Sequence, residues 1–146
     1  MVPLQLLVID DSSTVRKHVE LSFRGTPATV SFAASGEEGV TKAAATQPDL
    51  ILLDLVLPDM RGIDVCERLS ESADTADIPI VLMSAQDVSV LEAFRGYASV
   101  VEFVGKPFSS DDVVERVEAA HRRRGRGMTS GVWPTQAALR AAAGDR

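Results

Sequence analysis

The sequence predicts an α/β protein, with five strand–helix pairs forming one open, doubly wound parallel sheet and helices on both faces. Three observations carry this. Five short apolar runs recur along the 146 residues, several of them rich in Val, Ile and Leu. Strands covered on both faces read in this way, as in a parallel sheet. Helix-like stretches of 10–20 residues separate the runs, and right-handed crossovers through them give a (βα)₅ order. The length and the 45% hydrophobic content suit a single core.

The first strand is read at Leu4–Ile9, followed by a helix opening at Ser12 or Ser13. Val15, Val19 and Phe23 recur at i, i+4 on that helix, and Gly25 suits its stop. A second strand at Ala28–Ala34 leads to a helix whose first turn carries Glu37 and Glu38, with Pro48 closing the loop after it. The third strand is Leu50–Leu55. Its helix carries Val65, Cys66 and Leu69, where Cys66 reads as a small buried hydrophobe. The fourth strand is Ile78–Met83, followed by a helix striped by Leu91, Phe94 and Ala98. Val100–Val104 is the fifth strand, and Asp111, Asp112, Val113, Val117 and Ala120 mark the fifth helix. Residues 1–124 form this domain. Residues 125–146 read as a Gly/Arg-rich linker and a short Ala-rich helix over Pro134–Ala143, with Trp133 beside it.

Charge is divided unevenly. Residues 1–121 hold 9 Lys and Arg against 20 Asp and Glu, a net −11, whereas residues 122–146 hold 6 Arg against Asp145 alone, a net +5. An acidic body disfavours nucleic acid, because affinity there rests on neutralising phosphates. The arginines at 122–124 and 126 read as a solvated helix end complementing its dipole, or as a contact for an acidic surface. No apolar run approaches the roughly 20 residues of a membrane span. One cysteine makes a reducing cytoplasm the expected setting.

Ligands of open parallel sheets gather outside the carboxyl ends of the strands. Asp10 and Asp11, Asp54, Ser84 and Lys106 all fall there. Grouped carboxylates repel one another, so a divalent cation is the natural compensation, and all-oxygen ligation suits Mg²⁺. Asp54 then suits a nucleophile forming an acyl phosphate, with Lys106 as a point charge on the phosphoryl oxygens. Taken singly, Asp10 and Asp11 also read as helix caps, and Asp54 as a loop acid before Pro58. Their joint placement at the strand ends favours the site. His18 and His121 read as helix surface or boundary residues.

Four segments, Val8–Ser12, Leu53–Gly62, Met83–Ala85 and Gly105–Phe108, resemble the receiver domain of two-component response regulators. The intervals of 30 residues from Asp54 to Ser84 and 22 from Ser84 to Lys106 are similar to that family's. The resemblance runs from about Leu4 to Arg124. It implies a flavodoxin-like, three-layer α/β/α fold and a cytoplasmic signalling switch. In that switch Asp54 accepts a phosphoryl group from a sensor histidine kinase or phosphotransfer protein. It further implies that Asp10, Asp11, Asp54 and the Val56 backbone carbonyl hold Mg²⁺, and that Ser84 and Lys106 bond the phosphoryl group. Phe103 falls at the family's aromatic switch position, and reads equally as a strand core aromatic. A phosphoryl group adds close to two negative charges, and Ser84 moving toward it vacates space for Phe103. Val56 and Gln86 flank the site, and neither offers a carboxylate to activate water, so a long-lived phosphoform is expected. Ser99-Val100 departs from a frequent Gly-Ala in the family, on the face where a downstream protein would dock, formed by the fourth helix, fifth strand and fifth helix.

The predicted tail is too short for a DNA-reading or cyclase domain, so output through protein contact is expected. The alternatives are the N-terminal receiver of a longer regulator and a docking module that is never phosphorylated. A Mg²⁺-dependent aspartyl phosphatase is disfavoured, because Val56 stands where a second acid would protonate the leaving group. The chain is thus expected to act on its own phosphorylation state only.

Overall fold

A computed structural model describes residues 3–85 and 91–125, with side chains as far as Arg122. Five strands form one sheet: β1 (Leu4–Ile9), β2 (Ala28–Ala33), β3 (Leu50–Asp54), β4 (Ile80–Ser84) and β5 (Val100–Gly105). Their order is β2-β1-β3-β4-β5, and every pairing is parallel. The helices are α1 (Ser13–Ser22), α2 (Gly36–Thr46), α3 (Gly62–Ser70) and α4 (Ser110–Gly125), the last being the fifth of the expected helices.

Alternation along the strands divides the core into two layers. Leu4, Leu6 and Val8 of β1 and Leu50 and Leu52 of β3 pack with Val19 of α1, Phe23 just beyond its end, and Val113 and Val117 of α4. Leu7, Ile9, Ile51 and Leu53 face the other way, with Ala43 of α2 and Val65, Cys66 and Leu69 of α3. A continuous apolar run is therefore two half-cores read on one strand. Cys66 is part of the second layer, and burial pushes its thiol up to about 12, which keeps it protonated and unreactive.

The helix starts follow their side chains. Ser12 caps α1, its Oγ accepting the Val15 N–H, and Ser35 does the same for the Glu38 N–H on α2. Beyond α1, Gly25 adopts a φ of +86°, the left-handed conformation that glycine takes without a Cβ clash.

β2, β3, β4 and β5 each end one residue away from the sequence reading, and larger differences lie around β4 and β5. β4 begins at Ile80, because Pro79 has no N–H and the Ile78 N–H bonds back to the Thr75 carbonyl. The fourth helix is described only from Leu91. Leu91 is α-helical, a 3₁₀ turn follows at Glu92–Phe94, and i→i+3 bonds at Arg95, Tyr97 and Val100 lead directly into β5. Leu91 and Phe94 are buried as expected, but Ala98 is exposed and lies beyond the helix. The β4–β5 register shifts at Ile80/Val81, pairing Val81 with Glu102. This irregularity puts Phe103 in the same layer as Val100, three residues earlier, where strict alternation would have separated them. Gly125, read as the first linker residue, is still helical at the end of α4; the rest of the predicted linker, Trp133 and the Pro134–Ala143 helix lie outside the described residues.

Candidate functional site

Strand order reverses between β1 and β3, which extend from the centre of the sheet. Asp10 follows the last residue of β1, and Asp54 is the last residue of the adjacent β3. Asp54 pairs with Met83, one residue before Ser84 at the end of β4, and Ser84 pairs with Gly105, one residue before Lys106. The parallel register thus delivers all four positions to one rim.

Carboxylate oxygens of Asp10, Asp11 and Asp54 lie within 4.8 Å of one another. Asp10 is fully buried, and each of its polar groups has a partner. Its N–H donates to the Ala33 carbonyl at 3.0 Å. Oδ1 accepts the Ser12 N–H at 2.8 Å, and Oδ2 accepts from Lys106 Nζ at 2.8 Å. Its carbonyl accepts from the Arg16 guanidinium at 2.8 Å. The capping alternative is therefore half right: Asp10 accepts an N–H beside α1 and also faces the site. Asp11 is exposed, open to solvent at the mouth of the cluster.

Lys106 Nζ also lies 3.3 Å from Asp54. Burial alone would lower the Lys106 pKa, but the hydrogen bond to Asp10 and the negative charges of Asp54 and Asp10 outweigh it and hold the ammonium above the ordinary lysine value. For Asp54, burial first and then the charge of Asp10 push the carboxyl above the ordinary aspartate value, against the pull of Lys106 and the Val56 backbone. One ammonium among three carboxylates leaves a surplus of negative charge. That surplus and the all-oxygen donor set fit a hard divalent cation such as Mg²⁺.

Val56 is 60% exposed beside Asp54 and forms an isolated bridge with Arg61 across the β3–α3 loop. Ser84 is buried at the end of β4, and its carbonyl accepts the Lys106 N–H at 2.8 Å. Phe103 is buried in the layer shared with Phe94 and Leu91. Gln86 lies outside the described residues. His18 sits at a boundary, as expected: its Nε2 is 3.0 Å from the Phe108 carbonyl, and its ring rests on that of Phe108, tying α1 to the loop after Lys106.

A family model described as the response regulator receiver domain matches residues 6–118. The chain belongs to the response regulator receiver family. This receiver is 32% identical over 123 residues to the response regulator MprA of Mycolicibacterium vanbaalenii, covering 84% of the chain and 52% of that relative. It is 34% identical, over 84% of the chain and 51% of the relative, to the DNA-binding dual master transcriptional regulator RpaA of Synechocystis. The chain thus spans about half the length of the curated relatives it matches. A putative response regulator from Chloroflexus aurantiacus superposes with a TM-score of 0.75 at 32% identity, over 84% of this chain and all of that one. The chemotaxis response regulator CheY4 of Vibrio cholerae shares the fold, with a TM-score of 0.75 at 20% identity over 82% of this chain and 99% of that one. The receiver is thus a regulatory domain of two-component systems. Among its described residues, no helix is long and apolar enough to cross a membrane.

Sequence reasoning did not single out Arg16, whose guanidinium holds the Asp10 carbonyl, nor any role for Asp59. Arg16 stands on α1 six residues after Asp10, a position that reads as ordinary helix surface until the loop geometry is known. Gly62 was read only within a motif. Its N–H donates to the Leu55 carbonyl at 2.7 Å, closing the loop behind Asp54.

Proposed function

We propose that Asp54 is the phosphoacceptor of this receiver and that Asp10, Asp11, Asp54 and the Val56 carbonyl hold Mg²⁺. The observation that carries the reading is the convergence of three carboxylates within 4.8 Å with Lys106 bridging two of them. Asp54 Oδ attacks the phosphorus of a phosphohistidine on a sensor kinase or phosphotransfer protein. The new O–P bond forms as the N–P bond breaks, and the imidazole leaves with the bonding pair and takes up a proton. Bound Mg²⁺ would supply charge neutralisation at the phosphoryl oxygens. Lys106 contributes its fixed positive charge, and Asp10 orients Lys106 through its buried hydrogen bond. Ser84, next to Lys106 at the rim, donates its hydroxyl proton to a phosphoryl oxygen.

Phosphorylation then acts on packing. A shift of Ser84 toward the new charge repacks Phe103 and alters the docking face built by the segment after β4, β5 and α4. The chain works in the cytoplasm and turns over no substrate other than its own phosphoryl group. With Val56 apolar and Gln86 neutral, the phosphoform is long-lived.

Incubation with acetyl phosphate and MgCl₂ tests the reading. The expected result is one acid-stable, base-labile phosphoryl group per chain, absent from Asp54→Asn. A chain that takes up none, with no Mg²⁺ affinity, is a docking module instead. The half-length match to the curated relatives supports a second reading, in which this receiver is the N-terminal part of a longer regulator. The intact mass of the native gene product distinguishes the two.

A further inference from the structure

The loop from β3 to α3 is held at its base by the Gly62–Leu55 hydrogen bond and across its middle by the Val56–Arg61 bridge. Its tip is attached elsewhere. Asp59 Oδ1 accepts the Gly36 N–H at 2.8 Å, and Oδ2 accepts the Glu37 N–H at 2.9 Å. These are consecutive donors in the first turn of α2, left over by the helix itself. Met60, beside Asp59, packs so close to Gly36 that a Cβ there would fall on its side chain. The other end of the connection reaches Asp10. The chain enters α2 directly from β2, and Ala33, the last residue of β2, accepts the Asp10 N–H at 3.0 Å. A closed circuit therefore runs from Asp10 through Ala33 and the start of α2 to Asp59, and back along the loop to Val56 and Asp54.

We propose that Asp59 is a positioning residue that clamps the Val56-bearing loop to the start of α2 and thereby sets the divalent-cation affinity of the site. This rests on the phosphoacceptor reading above, and assigns to it a residue that touches neither cation nor phosphoryl group. Fixing a carbonyl ligand before binding removes an ordering cost that the cation would otherwise bear. Groups that orient metal ligands typically change affinity by about ten- to a hundredfold when removed. A bidentate carboxylate is the side chain that fits two adjacent N–H donors. Asparagine keeps one acceptor oxygen, and alanine none.

MgCl₂ titration calorimetry on the full chain, paired with acetyl phosphate labelling across Mg²⁺ concentrations, tests the inference. Asp59→Ala is expected to raise the Mg²⁺ midpoint about tenfold, with labelling restored at saturating Mg²⁺. Asp59→Asn falls between alanine and the parent. Two controls separate the clamp from its side effects. Ser35→Ala weakens the same helix end without touching the loop, and Glu37→Gln removes a neighbouring charge. Both are expected to keep the parent's midpoint. An unmoved midpoint in Asp59→Ala overturns the inference alone, as does a control that moves equally far. A parent that binds no Mg²⁺ overturns the phosphoacceptor reading and the inference together.

Discussion

Lys106 and Asp10 stand 96 residues apart in the chain, and their side chains meet at 2.8 Å. Asp10 is wholly buried there, and the Lys106 side chain is 18% exposed. Removing Lys106 strands a buried charge on Asp10, and a stranded buried ion costs more than the pair contributes. The contact ties the loop after β5 to the end of β1, across β3 and β4.

Lys106→Ala therefore leaves Asp10 and Asp54 facing each other without a cation. We expect a loss of about 2 kcal/mol, short of the roughly 3–5 kcal/mol seen for a fully buried pair, because Lys106 is partly solvated. Urea unfolding in metal-free buffer measures it. Repeating the melt with MgCl₂ should recover part of the loss, since a cation replaces the missing positive charge. An equal loss in both buffers would mean that the deficit is packing rather than charge.

Asp54→Asn is expected to stabilise the metal-free receiver at neutral pH, by on the order of 1 kcal/mol, the scale of relieving strain at a functional site. The sign follows from linkage. The folded Asp54 carboxyl titrates above its unfolded value, so the native state holds the proton more tightly. Stability is then lost as pH rises through that interval, and the asparagine variant escapes the loss. The gap between the two proteins should open as pH rises through the ordinary aspartate range and stop growing once the folded Asp54 carboxyl is fully ionised. Lys106 acts at the other limit. Its folded pKa is raised, so its contribution is complete below the ordinary lysine value and is lost as pH rises through the folded one.

Gly62→Ala tests the loop behind Asp54. An added Cβ would stand 2.8 Å from Leu55 Cα and 2.9 Å from the Asp54 carbonyl oxygen. Both are backbone atoms with no rotamer to yield, so about 2 kcal/mol of destabilisation is expected, within the range for overpacking. Acetyl phosphate labelling should slow as well, because Asp54 moves with its own carbonyl. Gly39→Ala, whose Cβ would have three Ile9 side-chain atoms as its nearest neighbours, should label at the parent's rate.

The sheet was legible because burial on both faces writes itself into composition: β1 and β5 begin where their apolar runs begin, at Leu4 and Val100. The rim was legible because strand ends are fixed once the strands are, and Asp10, Asp11, Asp54 and Lys106 meet as the pattern required. What escaped depends on contacts that no local pattern encodes. The β4–β5 irregularity that turns Phe103 into the layer of Val100 is one residue of slip, invisible in a run of five apolar and acidic residues. Ala98 matched a helical stripe, but i→i+3 bonding and entry into β5 end the helix first. Asp59 finds its donors on a helix 22 residues upstream, so nothing near it in sequence announces them.

The central claim is that Asp54, among the three clustered carboxylates, forms the bond to phosphorus. Borohydride reduces an acyl phosphate to an alcohol and leaves free carboxylates intact. Reduction of acetyl phosphate-treated receiver, followed by peptide mass spectrometry, thus marks the bonded residue directly. The account predicts conversion at position 54 alone, and only when MgCl₂ is present during labelling. Conversion at Asp10 or Asp11, or none in a protein that has gained a phosphoryl group, would contradict it.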